Sequence, residues 1–172
     1  ALAFDPLLKH GLDEDCSVNV TLPFIESARQ AVQFLGKIIS KYGSPAGNSV
    51  LFADKNEAWY MEIVTGHLWL AQRIPDDAYA VVANEVAIQQ VDFDDTENFQ
   101  WADGIQEFVE EHHLNPDKEG WNFRHIFGSF DEKDRHYNTP RVWYGHHLFN
   151  PEIEEDPESG ELPFIMRTNH KF

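Results

Sequence analysis

An asparagine ending a run of short strands, a lone cysteine among acids and nine histidines are the residue types that could carry chemistry in this chain. From Glu57 to Ile88 the sequence EAWYMEIVTGHLWLAQRIPDDAYAVVANEVAI reads as strands over Ala58–Ile63, His67–Arg73 and Tyr79–Ala83. Thr65-Gly66 supplies a tight turn, and Pro75-Asp76-Asp77 turns the chain into the third run. Asn84 then stands where a strand stops. A side-chain amide so placed is held by the sheet yet open to a ligand, and its N–H can stabilise an oxyanion developing in acyl transfer. An asparagine also caps or turns a chain, and position alone favours that second role.

Cys16 is a poor nucleophile. Its setting, DEDCSV, puts three acids directly before it, which raises a thiol pKa and suppresses thiolate. It is also internal and followed by helix, so it lacks the free α-amine that an N-terminal nucleophile uses as base. The histidine pairs His112-His113 and His146-His147 diverge on a helix and match no i, i+4 ligand motif, so no metal is expected and these read as surface and helix-end residues.

The elements that would position Asn84 follow from periodicity. Leu22-Pro23 opens a helical region whose apolar residues Ile25, Ala28, Val32, Leu35 and Ile39 recur at spacings of three and four, with Gly43 as the stop. A strand over Ser49–Ala53 precedes the three above, giving an antiparallel meander. Several strands are apolar on both faces, as Tyr60-Met61 and Leu68-Trp69-Leu70 show, so the sheet needs cover on both sides. Beyond Ile88 the chain turns polar. A short helix over Ala102–Glu111, an irregular packed segment over Trp121–Phe130 and a helix over Arg141–Leu148 led by Pro140 are expected. Pro151–Glu161, with six acidic residues and no basic one, reads as a solvated acidic loop.

Length and composition suit one domain over residues 1–172. A formal charge of −17 argues against nucleic acid or an anionic membrane as partner, and no apolar run approaches a membrane span. One cysteine permits no internal disulfide, so a cytoplasmic location is the natural expectation.

A series of local patterns carries a resemblance. These are Gly47-Asn48-Ser49 opening a strand, Asp54 in the next turn, Glu57-Ala-Trp59-Tyr-Met-Glu62, Gly66-His67, Trp69, Ala71, Arg73-Ile-Pro75-Asp-Asp77, and Asn84 followed by Ile88. Upstream, AFDPLLKHG and ESARQAVQFLGKIISKYG agree as well. In serial order they resemble the N-terminal-nucleophile cysteine dipeptidases of bacteria, distant relatives of the bile-salt and penicillin V amidohydrolases. The agreement is good from Ala1 to about Ile88 and thinner beyond.

The resemblance implies an α+β fold, an antiparallel sheet with helices on one face, forming part of an Ntn-hydrolase αββα sandwich. It implies hydrolysis of a dipeptide by acyl transfer from an N-terminal cysteine, with no cofactor. Asn84 takes the place of the oxyanion donor. Arg141, in TPRVWYG, stands where the related amidohydrolases carry an active-site arginine, although its flanking residues differ and Asn84 is followed by Glu85-Val86 where those relatives often place a proline. Arg73 and His67 are candidate substrate-binding residues: a guanidinium suits a dipeptide carboxylate, and His67 begins a strand after a turn glycine. Pairing of Arg73 with Asp76 or Asp77, or a plain sheet position for His67, is equally ordinary.

Residue 1 is alanine and the C-terminus, RTNHKF, is ragged, so the chain is expected to be an internal portion of a longer enzyme whose cysteine lies upstream. By itself it is expected to turn over no dipeptide. A sheet face left without its partner sheet would expose Trp59, Met61, Leu68 and Leu70, or their alternates, and homodimerisation through that face is expected. Two alternatives stay open. An amidohydrolase of bile-salt or penicillin type would need a larger pocket, and a non-catalytic acidic binding or assembly domain would need no nucleophile.

Overall fold

The computed structural model describes residues 11–167; the opening at Ala1, most of AFDPLLKHG and the last five residues of the C-terminus lie outside them. The first described helix, α1 (Glu14–Thr21), is capped by Asp13, whose carboxylate accepts the Cys16 N–H at 3.2 Å. Periodicity missed α1 because its buried residues are polar. The Ser17 and Thr21 hydroxyls are satisfied by the carbonyls four residues back, at 2.8 and 2.7 Å.

Helix α2 (Ala28–Tyr42) buries Ala28, Val32, Leu35 and Ile39 of the expected stripe, with Ala31 beside them. It starts later than expected. Leu22–Phe24 form a separate 3-10 turn, Ile25 is extended, and Ser27 caps the helix by accepting the Gln30 N–H at 3.2 Å. Asp54 ties this end to the sheet by taking the Ala28 N–H at 2.8 Å. Backbone N–H groups of Ala28, Asn56 and Glu57 hold the Asp54 carboxyl below its ordinary pKa. The tie is therefore complete at neutral pH and is lost as pH falls through that lowered value.

The main sheet has the order β1 (Asn48–Ala53), β2 (Ala58–Thr65), β3 (Leu68–Ile74), β5 (Phe99–Trp101), all antiparallel. The β2–β3 turn is Gly66-His67, one residue later than expected: Thr65 pairs with Leu68 and Gly66 takes the positive φ of 44°. The fourth expected strand does not join this sheet. Only Ala78–Ala80 is extended, as β4, and it pairs with β6 (Ile165–Arg167). Its ring packs elsewhere, with Tyr79 against Phe149 at 4.8 Å, while Phe99 and Trp101 bring the apolar area beside β3.

Helix α2 packs on one face of the sheet, against Phe52, Trp59, Met61, Ile63, Trp69 and Ala71. Tyr60, Val64 and Leu70 point the other way, into a second cluster with Ile88, Phe99, Phe164, α3 (Ile105–Glu111) and α4 (Phe123–Phe127). Ala80 and Ile165 of the β4–β6 pair pack against it too. This α+β arrangement covers both sheet faces from within the chain. Trp59, Met61 and Leu70 are fully buried and Leu68 partly so, and the open apolar face on which a homodimer was expected is absent among the described residues.

Gly36 marks the closest approach of α2 to the sheet: a Cβ there would overlap the Trp69 indole. Gly36→Ala is expected to cost about 1–3 kcal/mol of stability through overpacking. Denaturant unfolding checks this, and an unchanged midpoint would mean that the contact gives way freely.

The last helix, α5 (Thr139–Phe149), follows a π-helical turn over Asp134–Asn138 and carries Pro140 in its first turn, as expected. Its His146 is not a surface residue. It is fully buried, with Nδ1 2.8 Å from a Glu155 carboxylate oxygen, and the Trp143 indole N–H donates to the Glu155 carbonyl at 3.1 Å. The acidic run is irregular and mostly exposed, as expected, but Glu155 docks it on α5. Glu161 reaches His125 of α4 at 3.1 Å.

Candidate active site

A cleft of about 320 Å³ opens between the start of β1 and the segment following β4. Asn48 and Ser49 of β1, Glu62 to Val64 of β2, Ala83 to Val86, Phe127 and Glu14 form its walls. Asn84 stands exposed at this cleft, on a stretch from Val81 to Gln89 that has no regular structure. Side chains therefore hold it in place.

Arg141 is the nearest of these. Its Nη2 donates to Asn84 Oδ1 at 2.9 Å and to Asn138 Oδ1 at 2.6 Å, and its Nε donates to the Tyr137 carbonyl at 2.8 Å. The guanidinium also lies over the Tyr137 ring, 4.2 Å from its centroid. A guanidinium only donates, so the Asn84 atom facing it is the oxygen and the amide NH2 is turned away from it. Among the described residues no acceptor takes that NH2. Asn138 completes the frame by donating from its amide to the Asn84 carbonyl at 3.1 Å. The structure thus joins two residues 57 positions apart in sequence, Asn84 and Arg141, which sequence reasoning singled out separately.

Two further groups pin the same segment. Glu85 forms a two-pronged ion pair with Arg124 of α4, at 3.2 and 3.0 Å, with side chains only 2% and 4% exposed. Burial raises the Glu85 carboxyl above its ordinary pKa, although Arg124 opposes this. Glu62, 3% exposed, accepts the Ala87 and Ile88 N–H groups at 2.8 and 3.1 Å and the Tyr60 hydroxyl at 3.1 Å. Burial pushes its carboxyl up to about 7 against the opposing effect of those donors and of Arg124.

Sequence reasoning assigned no role to Glu62, Glu85, Arg124 or Asn138. A signal existed for two of them. Glu62 is a lone acid inside the apolar run Trp-Tyr-Met-Glu-Ile-Val, and Arg124 a lone cation in the aromatic stretch Trp121–Phe130; charges so placed are buried only with partners.

The other candidates lie apart from the cleft walls. His67 turns Nδ1 toward the Ile39 and Ser40 carbonyls, at 3.2 and 3.0 Å, at the C-terminal end of α2. Arg73 is 3.4 Å from Glu57 and also pairs with Asp76, within a charged group that includes Arg29. His67→Ala and Arg73→Ala are expected to lower thermal stability while leaving the kcat of a full-length enzyme close to its parent value. A large loss of kcat at normal stability would return either residue to the site.

Cys16 is exposed on α1, and its thiol is raised above its ordinary pKa, first by a hydrogen bond with Asp13 and by the Asp13 charge. No group of three or more His, Cys, Asp or Glu side chains able to hold a metal exists among the described residues. None of their helices is long and apolar enough to cross a membrane.

A sequence model of Peptidase family C69 matches residues 1–172. The chain is 58% identical over 170 residues to a protein of Latilactobacillus sakei named "Probable dipeptidase", covering 99% of this chain and 36% of that one. It is 46% identical to "Dipeptidase A" of Lactobacillus helveticus, covering 96% and 35%, and 35% identical to "Dipeptidase" of Bifidobacterium longum, covering 97% and 34%. It therefore spans little more than a third of the length of these relatives. With the family model matching from end to end and relatives this similar along nearly all of its residues, the chain belongs to Peptidase family C69.

Proposed function

We propose that the full-length protein carrying this chain is a dipeptidase that works by acyl transfer through an N-terminal cysteine, with Asn84 as an oxyanion donor. The observation that carries this reading is the Asn84 amide, oriented by Arg141 at a cleft wall in a chain of a peptidase family. The cysteine thiol attacks the peptide carbonyl carbon while its own α-amine takes the thiol proton. The carbonyl oxygen gains negative charge, which the Asn84 N–H stabilises. The C–N bond then breaks, the leaving amine takes a proton, and water hydrolyses the thioester. Arg141 acts on the amide: its positive charge at Oδ1 draws electron density from the NH2 group and strengthens it as a donor.

The part of the cleft that this chain forms is compatible with a substrate as small as a dipeptide. About 320 Å³ lies at the small end of small-molecule sites, which run from about 300 to 1,000 Å³. The formal charge of −17 argues against an anionic nucleic acid as ligand, and a cytoplasm, where thiols stay reduced, suits a cysteine nucleophile.

The test is dipeptide turnover by the full-length protein before and after thiol alkylation, with Cys16→Ser in parallel. Turnover lost on alkylation and kept in Cys16→Ser supports the reading. Turnover that survives alkylation, or that Cys16→Ser abolishes, overturns it.

A further inference from the structure

We infer that Glu62 is a positioning residue for Asn84, fastening the segment that carries it to strand β2. The segment from Val81 to Gln89 has no strand ladder, and its Ala87 and Ile88 N–H groups are buried. Both N–H groups end on the Glu62 carboxylate, one on each oxygen, at 2.8 and 3.1 Å. Two buried donors on one rigid strand residue fix the backbone three and four positions after Asn84. Glu85 and Arg124 hold the position between. This rests on the reading of Asn84 as the oxyanion donor, and it adds a residue that need not touch substrate.

The geometry also assigns a protonation state. A carboxylate has acceptor sites for all three of its donors, whereas a protonated carboxyl turns one oxygen into a donor facing N–H or O–H groups. Glu62 therefore works ionised. The charged and titratable groups around it are Tyr60 on its own strand, Arg124 of α4, Glu85 of the tethered segment and Glu14 of α1 across the cleft. Because burial holds its carboxyl near 7, the Asn84-dependent rate should rise with pH through that region. Tyr60 donates to the ionised form, so removing its hydroxyl should move this rise to higher pH.

The experiment measures kcat and KM against pH for a dipeptide, in the full-length enzyme and in Glu62→Gln, Tyr60→Phe, Asn84→Ala and the Glu62→Gln/Asn84→Ala pair. Glu62→Gln should lower kcat about tenfold at pH 8, the scale of one lost buried hydrogen bond, with KM little changed and without the rise near pH 7. The pair should be no slower than Asn84→Ala alone. Tyr60→Phe, which conserves shape and so the fold, should shift the rise upward while a limb from the nucleophile's amine stays in place. Normal kcat in Asn84→Ala overturns the oxyanion reading and this inference with it. Impaired Asn84→Ala beside normal Glu62→Gln, additive losses in the pair, or an unmoved rise in Tyr60→Phe overturns the Glu62 role alone.

Discussion

Asn84→Ala in the full-length enzyme is expected to lower kcat about 100- to 1000-fold with KM nearly unchanged, the usual effect of removing one oxyanion donor. The amide acts on charge that exists only in the transition state, so ground-state binding should barely register its loss. Asn84 is exposed and its carbonyl tie to Asn138 is made by backbone, so truncating the side chain leaves that tie in place. Stability should fall little. A structural asparagine would give the opposite pattern, a lowered thermal midpoint with normal kcat in the folded fraction, so kcat and midpoint measured on one preparation separate the two. Arg141→Met should reproduce part of the kcat loss, because it frees the amide to rotate without removing it.

The largest expected change in stability comes from Arg124→Met. This leaves the Glu85 carboxylate buried without a cation, and breaking a buried ion pair from one side costs about 3–5 kcal/mol. For a chain of 172 residues that lowers the thermal midpoint on the order of 10 °C. The sign of its pH dependence follows. Glu85 is already raised above its ordinary value, and losing Arg124 raises it further. A carboxyl with a raised folded pKa contributes stability that is complete below its unfolded pKa and lost as pH rises through the folded one. The variant's deficit should therefore be larger at pH 8 than at pH 5. Glu85→Gln in the same chain should recover much of it, and a midpoint unmoved by Arg124→Met would mean that the pair is hydrated.

The sheet and α2 were legible because their signals are local. Short strand-like runs bounded by turn residues and the stripe from Ala28 to Ile39 need no knowledge of the rest of the chain. What escaped depends on distant partners. Strand β5 is three residues inside a polar run, and it is a strand because β3 offers it an edge. Tyr79–Ala83 has strand composition, yet only Ala78–Ala80 pairs, and with residues that lie far along the chain. His146 reads as a surface residue until Glu155 is brought to it from the acidic run.

The site divides in the same way. Asn84 was visible from its place after a strand-like run, and Arg141 from a resemblance, but nothing in their spacing says that they meet. Their contact requires α5 to pack across the segment after β4, where Gly145 allows Val81 to come close. Glu62 and Arg124 were visible as misplaced charges. Their partners, two backbone N–H groups and Glu85, could be known only from the fold.

Asn84 is proposed to donate to the oxyanion of a dipeptide held in the cleft between β1 and the segment following β4. A crystal structure of the full-length enzyme with a dipeptide aldehyde bound covalently to its cysteine tests this most directly, since the hemithioacetal oxygen occupies the oxyanion position. That oxygen is expected about 2.7–3.1 Å from Asn84 Nδ2, with Arg141 still bonded to Oδ1. An inhibitor bound with its oxygen directed at other donors, and the Asn84 amide facing solvent, would contradict it.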